Sequence, residues 1–142
     1  MNDVLAGTFR GKSYRLKVEC YSKTPEIKVQ LIPTDGSDRI TLTQNLGQTM
    51  PLYQAFLGDG ILDIHDSDFM DYMEKNRLGR IVDFKRYDPD VFTGQLRRMA
   101  AIFQFNSSAL RRYHAAGCTR YESHYTSLKR RYAERRARRM AG

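Results

Sequence analysis

Cysteine is scarce in this chain, long apolar runs are missing, and one third of the sequence holds almost no acid. Each absence removes a class of protein. Cys20 and Cys118 stand far apart and make no disulfide framework, so two reduced thiols in a cytoplasmic protein are expected. The opening MNDVLAGTFRGK lacks the apolar run of a signal peptide, and no later stretch approaches a membrane span, so no membrane partner is expected. There is no Gly-rich phosphate loop and no nucleophile elbow; TDG and GDG read as turns. At 142 residues the chain is long enough for one packed core and short of two.

Acids run out toward the C-terminus. Residues 1–50 hold seven bases and five acids (net +2), residues 51–95 five and nine (net −4), and residues 96–142 twelve and two (net +10). The formal +8 of the chain therefore belongs to its last third, where eleven of the twelve bases are arginine. Guanidinium forks match phosphate and carboxylate geometry, so this bias says more about a partner than the same charge on lysine would.

Residues 8–22 alternate, with Tyr14, Leu16, Val18 and Cys20 on one face and Lys12, Arg15, Lys17 and Glu19 mostly on the other. That period predicts a half-buried strand. EIKVQLI repeats it through Ile27, Val29 and Leu31, TDGSD supplies a turn at Asp35-Gly36, and RITLTQNLG alternates again through Ile40 and Leu42. Short connections between these strands predict an antiparallel meander. DSDFMDYMEKNRLG reads as a helix capped by Asp66 or Ser67, buried through Phe69, Met70 and Met73, and stopped by Gly79. RIVDFKRY and MAAIFQF add two strands, the second through Met99, Ala101, Phe103 and Phe105, linked by the loop chemistry of DPDVFTG. The fold class expected is α+β, an antiparallel sheet of about five strands covered by one helix. Residues 1–105 form this body, and residues 106–142 add a C-terminal basic helical hairpin or arm.

Two clusters have metal-ligand character. In DIHDSD, Asp63, His65, Asp66 and Asp68 offer oxygen and nitrogen donors, and adjacent His-Asp pairs occur in metal-dependent phosphohydrolases. Such a centre needs further distant ligands, and only His114 and His124 remain, both in the basic segment. Acids at a helix start are explained by its dipole. A metal-dependent hydrolase at Asp63, His65 and Asp66 is therefore the second alternative. His114 and Cys118 share a helical face, but Gly117 lies between them and no fourth zinc ligand accompanies them. No catalytic residue, metal or other cofactor is expected.

The C-terminal segment carries two helix starts and a stop. Ser107 or Ser108 caps a short helix through Leu110, Tyr113 and His114 that ends near Gly117, and Thr119 with Glu122 forms a capping box for a second running to Met140. At ~100° per residue, Tyr121, Tyr125, Leu128 and Tyr132 make one narrow stripe, a docking face. Arg135, Arg136 and Arg139 continue the same line, so the helix is expected to pack first and then project. Candidate contacts to nucleic acid or an acidic partner are Arg111, Arg112, Lys129, Arg130, Arg131, Arg135, Arg136, Arg138 and Arg139. A solvated helix end that serves only solubility is the competing reading. A membrane-surface helix would need large apolar side chains beyond Tyr132, which the sequence lacks. The helical spacing of the tyrosines points to packing rather than base stacking.

IKVQLIPTDG, ITLTQNL, PLYQAFLGDG and FMDYMEKNRLG follow one another in an order and spacing that resemble a family of small bacterial proteins, domain of unknown function number 4313, carried on plasmids, conjugative elements and phages. The resemblance covers roughly residues 8–105, lends no catalytic residues and does not reach the basic tail. It implies a mobile-element setting, in which small proteins often counter host defences. The expectation is a non-enzymatic binding protein that engages nucleic acid or a nucleic-acid-binding complex through its arginine-rich helix. Its sharpest form is an inhibitor of a host defence nuclease, of the anti-CRISPR or antirestriction kind. An RNA- or DNA-binding accessory factor without inhibitory role is the alternative.

Overall fold

A computed structural model describes residues 3–48, 50–58, 61, 68–87 and 98–141. Its elements are β1 (Tyr14–Cys20), β2 (Ile27–Pro33), β3 (Ile40–Thr41), β4 (Thr43–Gln44), β5 (Gln54–Leu57), α1 (Asp68–Lys75), β6 (Gly79–Tyr87), β7 (Arg98–Phe105) and α2 (Ser107–Ala141). The fold is α+β. All strand pairs among the described residues are antiparallel, but they form two sheets, β1-β2-β3 and β4-β5-β7-β6, rather than one sheet of five strands.

The division falls inside RITLTQNLG. β3 pairs with β2 through Thr41↔Gln30 and Ile40↔Leu31, whereas β4 pairs with β5 through Thr43↔Leu57 and Gln44↔Phe56. Leu42 lies between them, fully buried, its N–H on Val29 O at 2.8 Å and its own carbonyl taking the Gly58 N–H at 2.8 Å. One residue hands the chain from sheet to sheet without interrupting the alternation. β5, from YQAFL, is the strand that short length hid.

The two sheets close on one aromatic-rich core. Phe9 stacks on Tyr72 at 5.7 Å between centroids and meets Phe69 edge-on at 6.1 Å, Phe69 meets Phe103, and Phe103 meets Phe105 at 4.8 Å. These rings tie the N-terminal segment to α1 and β7. Met50, Phe56 and Ala100 form a smaller cluster on the other face of the four-stranded sheet. The buried stripe of α1 is Phe69, Tyr72 and Met73, with Met70 only partly covered. The expected caps Asp66 and Ser67 lie outside the described residues.

Gly79 does not stop α1. Arg77 takes the left-handed position (φ 55°) and the Leu78 N–H reaches back to Met73 O at 2.9 Å, the 6→1 bond of a Schellman turn. Gly79 instead opens β6 with φ 153°, where a Cβ would stand 2.2 Å from the carbonyl of Gln104. Just before it, buried Asn76 exchanges two bonds with Ala6 (2.8 and 3.0 Å), fixing the N-terminal segment to the end of α1.

The C-terminal segment is two helical stretches that meet at a sharp break, as expected, but the break and the cap fall elsewhere. Its cap is Asn106, whose Oδ1 accepts the Ser108 and Ala109 N–H groups at 3.1 and 3.5 Å, rather than a serine. The break falls at His114 (φ −154°, ψ 70°), three residues before the glycine expected to cause it, and no new cap forms at Thr119. The reason is β1. Its outer edge is open to Val18, and the Val18 N–H donates to His114 Nδ1 at 2.8 Å. Gly117 sits over the main chain of the same residue: a Cβ there would stand 2.2 Å from Val18 O and 2.4 Å from His114 Nδ1. The glycine is a contact point inside the helix. Gly117→Ala is therefore expected to lower stability by about 3 kcal/mol, read from urea unfolding. A loss under about 0.5 kcal/mol, the level of an exposed substitution, contradicts the close crossing.

Candidate nucleic-acid interface

Past Gly117 the phase of α2 is fixed, and the tyrosine stripe falls on the body. Tyr121 is fully buried, Leu128 is buried, Tyr125 is half-buried and Tyr132 is 40% exposed. Each tyrosine hydroxyl finds a main-chain partner. Tyr121 Oη accepts the Tyr53 N–H (2.9 Å), Tyr125 donates to Met50 O (3.1 Å), and Tyr132 donates to Lys23 O (3.2 Å). Tyr121 also meets the Tyr53 ring edge-on at 5.0 Å between centroids. These side chains fasten the helix and are not free platforms for bases.

The anchoring divides the candidate cations. Arg111 is ion-paired with Glu122, whose other oxygen accepts the Tyr53 hydroxyl at 3.1 Å. That arginine is used to brace the helix against its own N-terminal turn and β5. The exposed Arg112 lies over the Tyr113 ring at 5.5 Å, and Lys129 over Tyr125 at 5.7 Å. Arg130 borders a shallow polar groove with Thr119, Ser123 and Thr126. Arg131, Arg135, Arg136, Arg138 and Arg139 are exposed and have no ion pair among the described residues. Every residue from 129 to 140 is exposed. Arg120, which the capping-box reading absorbed, is a further exposed cation on this helix, and its charge helps to lower the pKa of His114.

The potential ligand sets take structural or neutral roles where they are described. His114 uses Nδ1 on Val18, and burial, then the charges of Arg120 and Lys17, hold its pKa below the ordinary value. Burial raises the Cys118 thiol, and burial with the Glu26 charge pushes Cys20 up to about 11, so neither is a ready thiolate. Among the described residues no three His, Cys, Asp or Glu side chains gather as a metal site, and no helix is long and apolar enough to cross a membrane. Asp63, His65 and Asp66 lie outside the described residues; Asp68 starts α1 and is exposed. No family profile, curated protein or solved structure matches the chain.

Two outcomes follow from the docking geometry. Leu128→Ala is expected to lower stability by about 2–4 kcal/mol in denaturant unfolding, because the removed methyl groups leave a hole between helix and body. A change under about 0.5 kcal/mol would mean that the helix end is undocked in solution. The second concerns pH. Below 6.5 the unfolded chain binds a proton at His114 that the folded chain refuses, so stability falls as pH drops through that value. Glu26, buried and pushed up to about 7, acts in the opposite sense and loses stability as pH rises from 4.5. His114→Gln keeps an acceptor and removes only the first effect. The stability advantage of the native chain over this variant is expected to narrow on acidification from pH ~7.5 to ~5.5; a constant difference excludes the proposed role of neutral His114.

Proposed function

We propose that this is a non-enzymatic binding protein that engages nucleic-acid phosphates through the arginine-rich end of α2. The observation behind it is the run 129–140, exposed throughout beyond the last buried anchor, Leu128, with seven cations and the single acid Glu134. At ~100° per residue these cations surround the helix, and Tyr132 among them, 40% exposed, keeps one hydrogen bond to the body at Lys23 O. Like charges at Arg131/Arg135 and Arg135/Arg139 disfavour the free helix, and a polyanion removes that repulsion. Arginine rather than lysine supports bidentate phosphate contact. The finer reading we propose is a cytoplasmic inhibitor of a host defence nuclease that competes for the guide or target nucleic acid.

The test is salt dependence. About four to six phosphate contacts give a log–log slope of roughly −3 to −5 in binding to duplex or single-stranded oligonucleotides. Truncation after Tyr132 flattens that slope while the body stays folded, because Leu128 is the last buried residue. Replacing Arg135, Arg136, Arg138 and Arg139 by lysine keeps most non-specific affinity and weakens bidentate contacts. Pull-down from a host lysate with and without nuclease treatment separates the inhibitor from a plain accessory factor. A truncated chain that binds like the full chain in physiological salt makes the arginines a solubility device and sinks the reading.

A further inference from the structure

Among the described residues the last strand of the four-stranded sheet has one open side: β6 ends the order β4-β5-β7-β6, and no described strand lies beyond Gly79–Tyr87. The Phe84 N–H donates to the carboxylate of the adjacent Asp83 at 2.8 Å. Beside it lie exposed apolar side chains: Val82 at 42%, Phe84 at 52% and Met99 at 57% of full accessibility. The edge is long and free of proline, but it carries exposed Arg80, Asp83, Lys85 and Arg86 and a register shift at Ile81/Asp83, so it admits only a strand whose charges complement its own.

We propose that the occupant is β6 of a second copy, paired antiparallel about a two-fold axis at Phe84. Charge selects this occupant and this register. With Phe84 opposite its own copy, Asp83 faces Lys85 of the partner strand and Lys85 faces Asp83, giving two complementary cross-strand pairs from one sequence. Centring the axis on Asp83, Lys85 or Arg86 instead sets like charges against each other. The faces also agree. Asp83 and Lys85 oppose Ile102 and Ala100 in β7 and share one face, while Phe84 opposes Ala101 on the face of the main core. Pairing therefore lines up Phe84 and Met99 of both copies on one side and the ion pairs on the other. On association the Phe84 N–H moves from Asp83 to the partner's main chain, which frees the carboxylate for the partner's lysine. The contact is isologous and uses up the edge that makes it, so assembly stops at two.

Sedimentation equilibrium on the full chain, freed of nucleic acid by nuclease treatment, tests this. The weight-average mass is expected to rise from one chain toward two with concentration. Asp83→Lys places cations opposite one another in both pairs and is expected to weaken association at least about tenfold. The exchange Asp83→Lys with Lys85→Asp restores complementarity and with it most of the association. Both positions are exposed, so the fold survives, as circular dichroism will report. Phe84→Lys is a second disruptive variant, and slowed Phe84 amide exchange at high concentration is the local signature. A chain that stays monomeric at its solubility limit overturns the proposal and leaves the edge to a foreign strand. A dimer indifferent to Asp83→Lys, or not restored by the exchange, overturns it as well.

Discussion

The main chain of Val18 is where the C-terminal helix is fixed to the first sheet. Its N–H enters His114 Nδ1 at 2.8 Å, and its carbonyl occupies the space that any side chain at Gly117 would need. An edge strand leaves N–H and C=O groups that must find partners or water. On β1 the first half of the edge is closed by Val4 and Leu5, the second by α2. Helix and sheet therefore meet backbone to side chain, and not only through apolar contact. Because the helix bends at His114 and is pinned at Gly117, its rotation about its own axis is set there. A turn of one residue, ~100°, would carry the hydroxyls of Tyr121, Tyr125 and Tyr132 away from their partners.

Those hydroxyls in turn steady a strained part of the body. Tyr53 takes φ 63°, an unfavourable value for a residue with a side chain. It is held from three directions: its N–H by Tyr121, its carbonyl by the Phe105 N–H at 2.8 Å, and its hydroxyl by Glu122. Glu122 then closes the chain of contacts on Arg111. Strain of this sort, worth about 1–3 kcal/mol, persists only when its surroundings over-determine it. The docked part of α2 is thus built into the body, and what remains free begins where the last anchor ends.

Much of this was legible from period alone. Alternation located β1, β2 and β7, and the 3.6-residue stripe placed Tyr121, Tyr125 and Leu128 on the body, because each pattern is a local record of which face is buried. What was not legible depends on partners far away in sequence. Leu42 switches sheets within an unbroken alternation, so the period carries no mark of the corner. Gly117 resembles a helix stop because its reason is a strand 99 residues earlier, at Val18. Arg111 looks like a free cation until Glu122 is seen across the bend. In Arg77 the left-handed cap is taken by a residue with a side chain, which shifts the expected glycine role by two positions. For the basic end the sequence was informative for the opposite reason: with no tertiary partner to find, composition and spacing describe the segment almost completely.

The charge of that end explains why it needs the docked turns behind it. A free helix of so few residues would bear the whole cost of nucleation and would not form in water. Here Tyr121 to Leu128 have already fixed the helical turns, so each further residue adds one hydrogen bond against the loss of its own freedom. Repulsion opposes this only locally. From Tyr132 to Met140 the helix extends about 12 Å, beyond the ~8 Å screening length at physiological salt, so only neighbouring arginines repel strongly. Two like-charged i,i+4 pairs cost at most about 1 kcal/mol together, less than the nucleation they are spared. On the proposed reading a polyanion would meet a rod already ordered on one side of the molecule, and the free energy of contact would not be consumed in folding the segment that makes it.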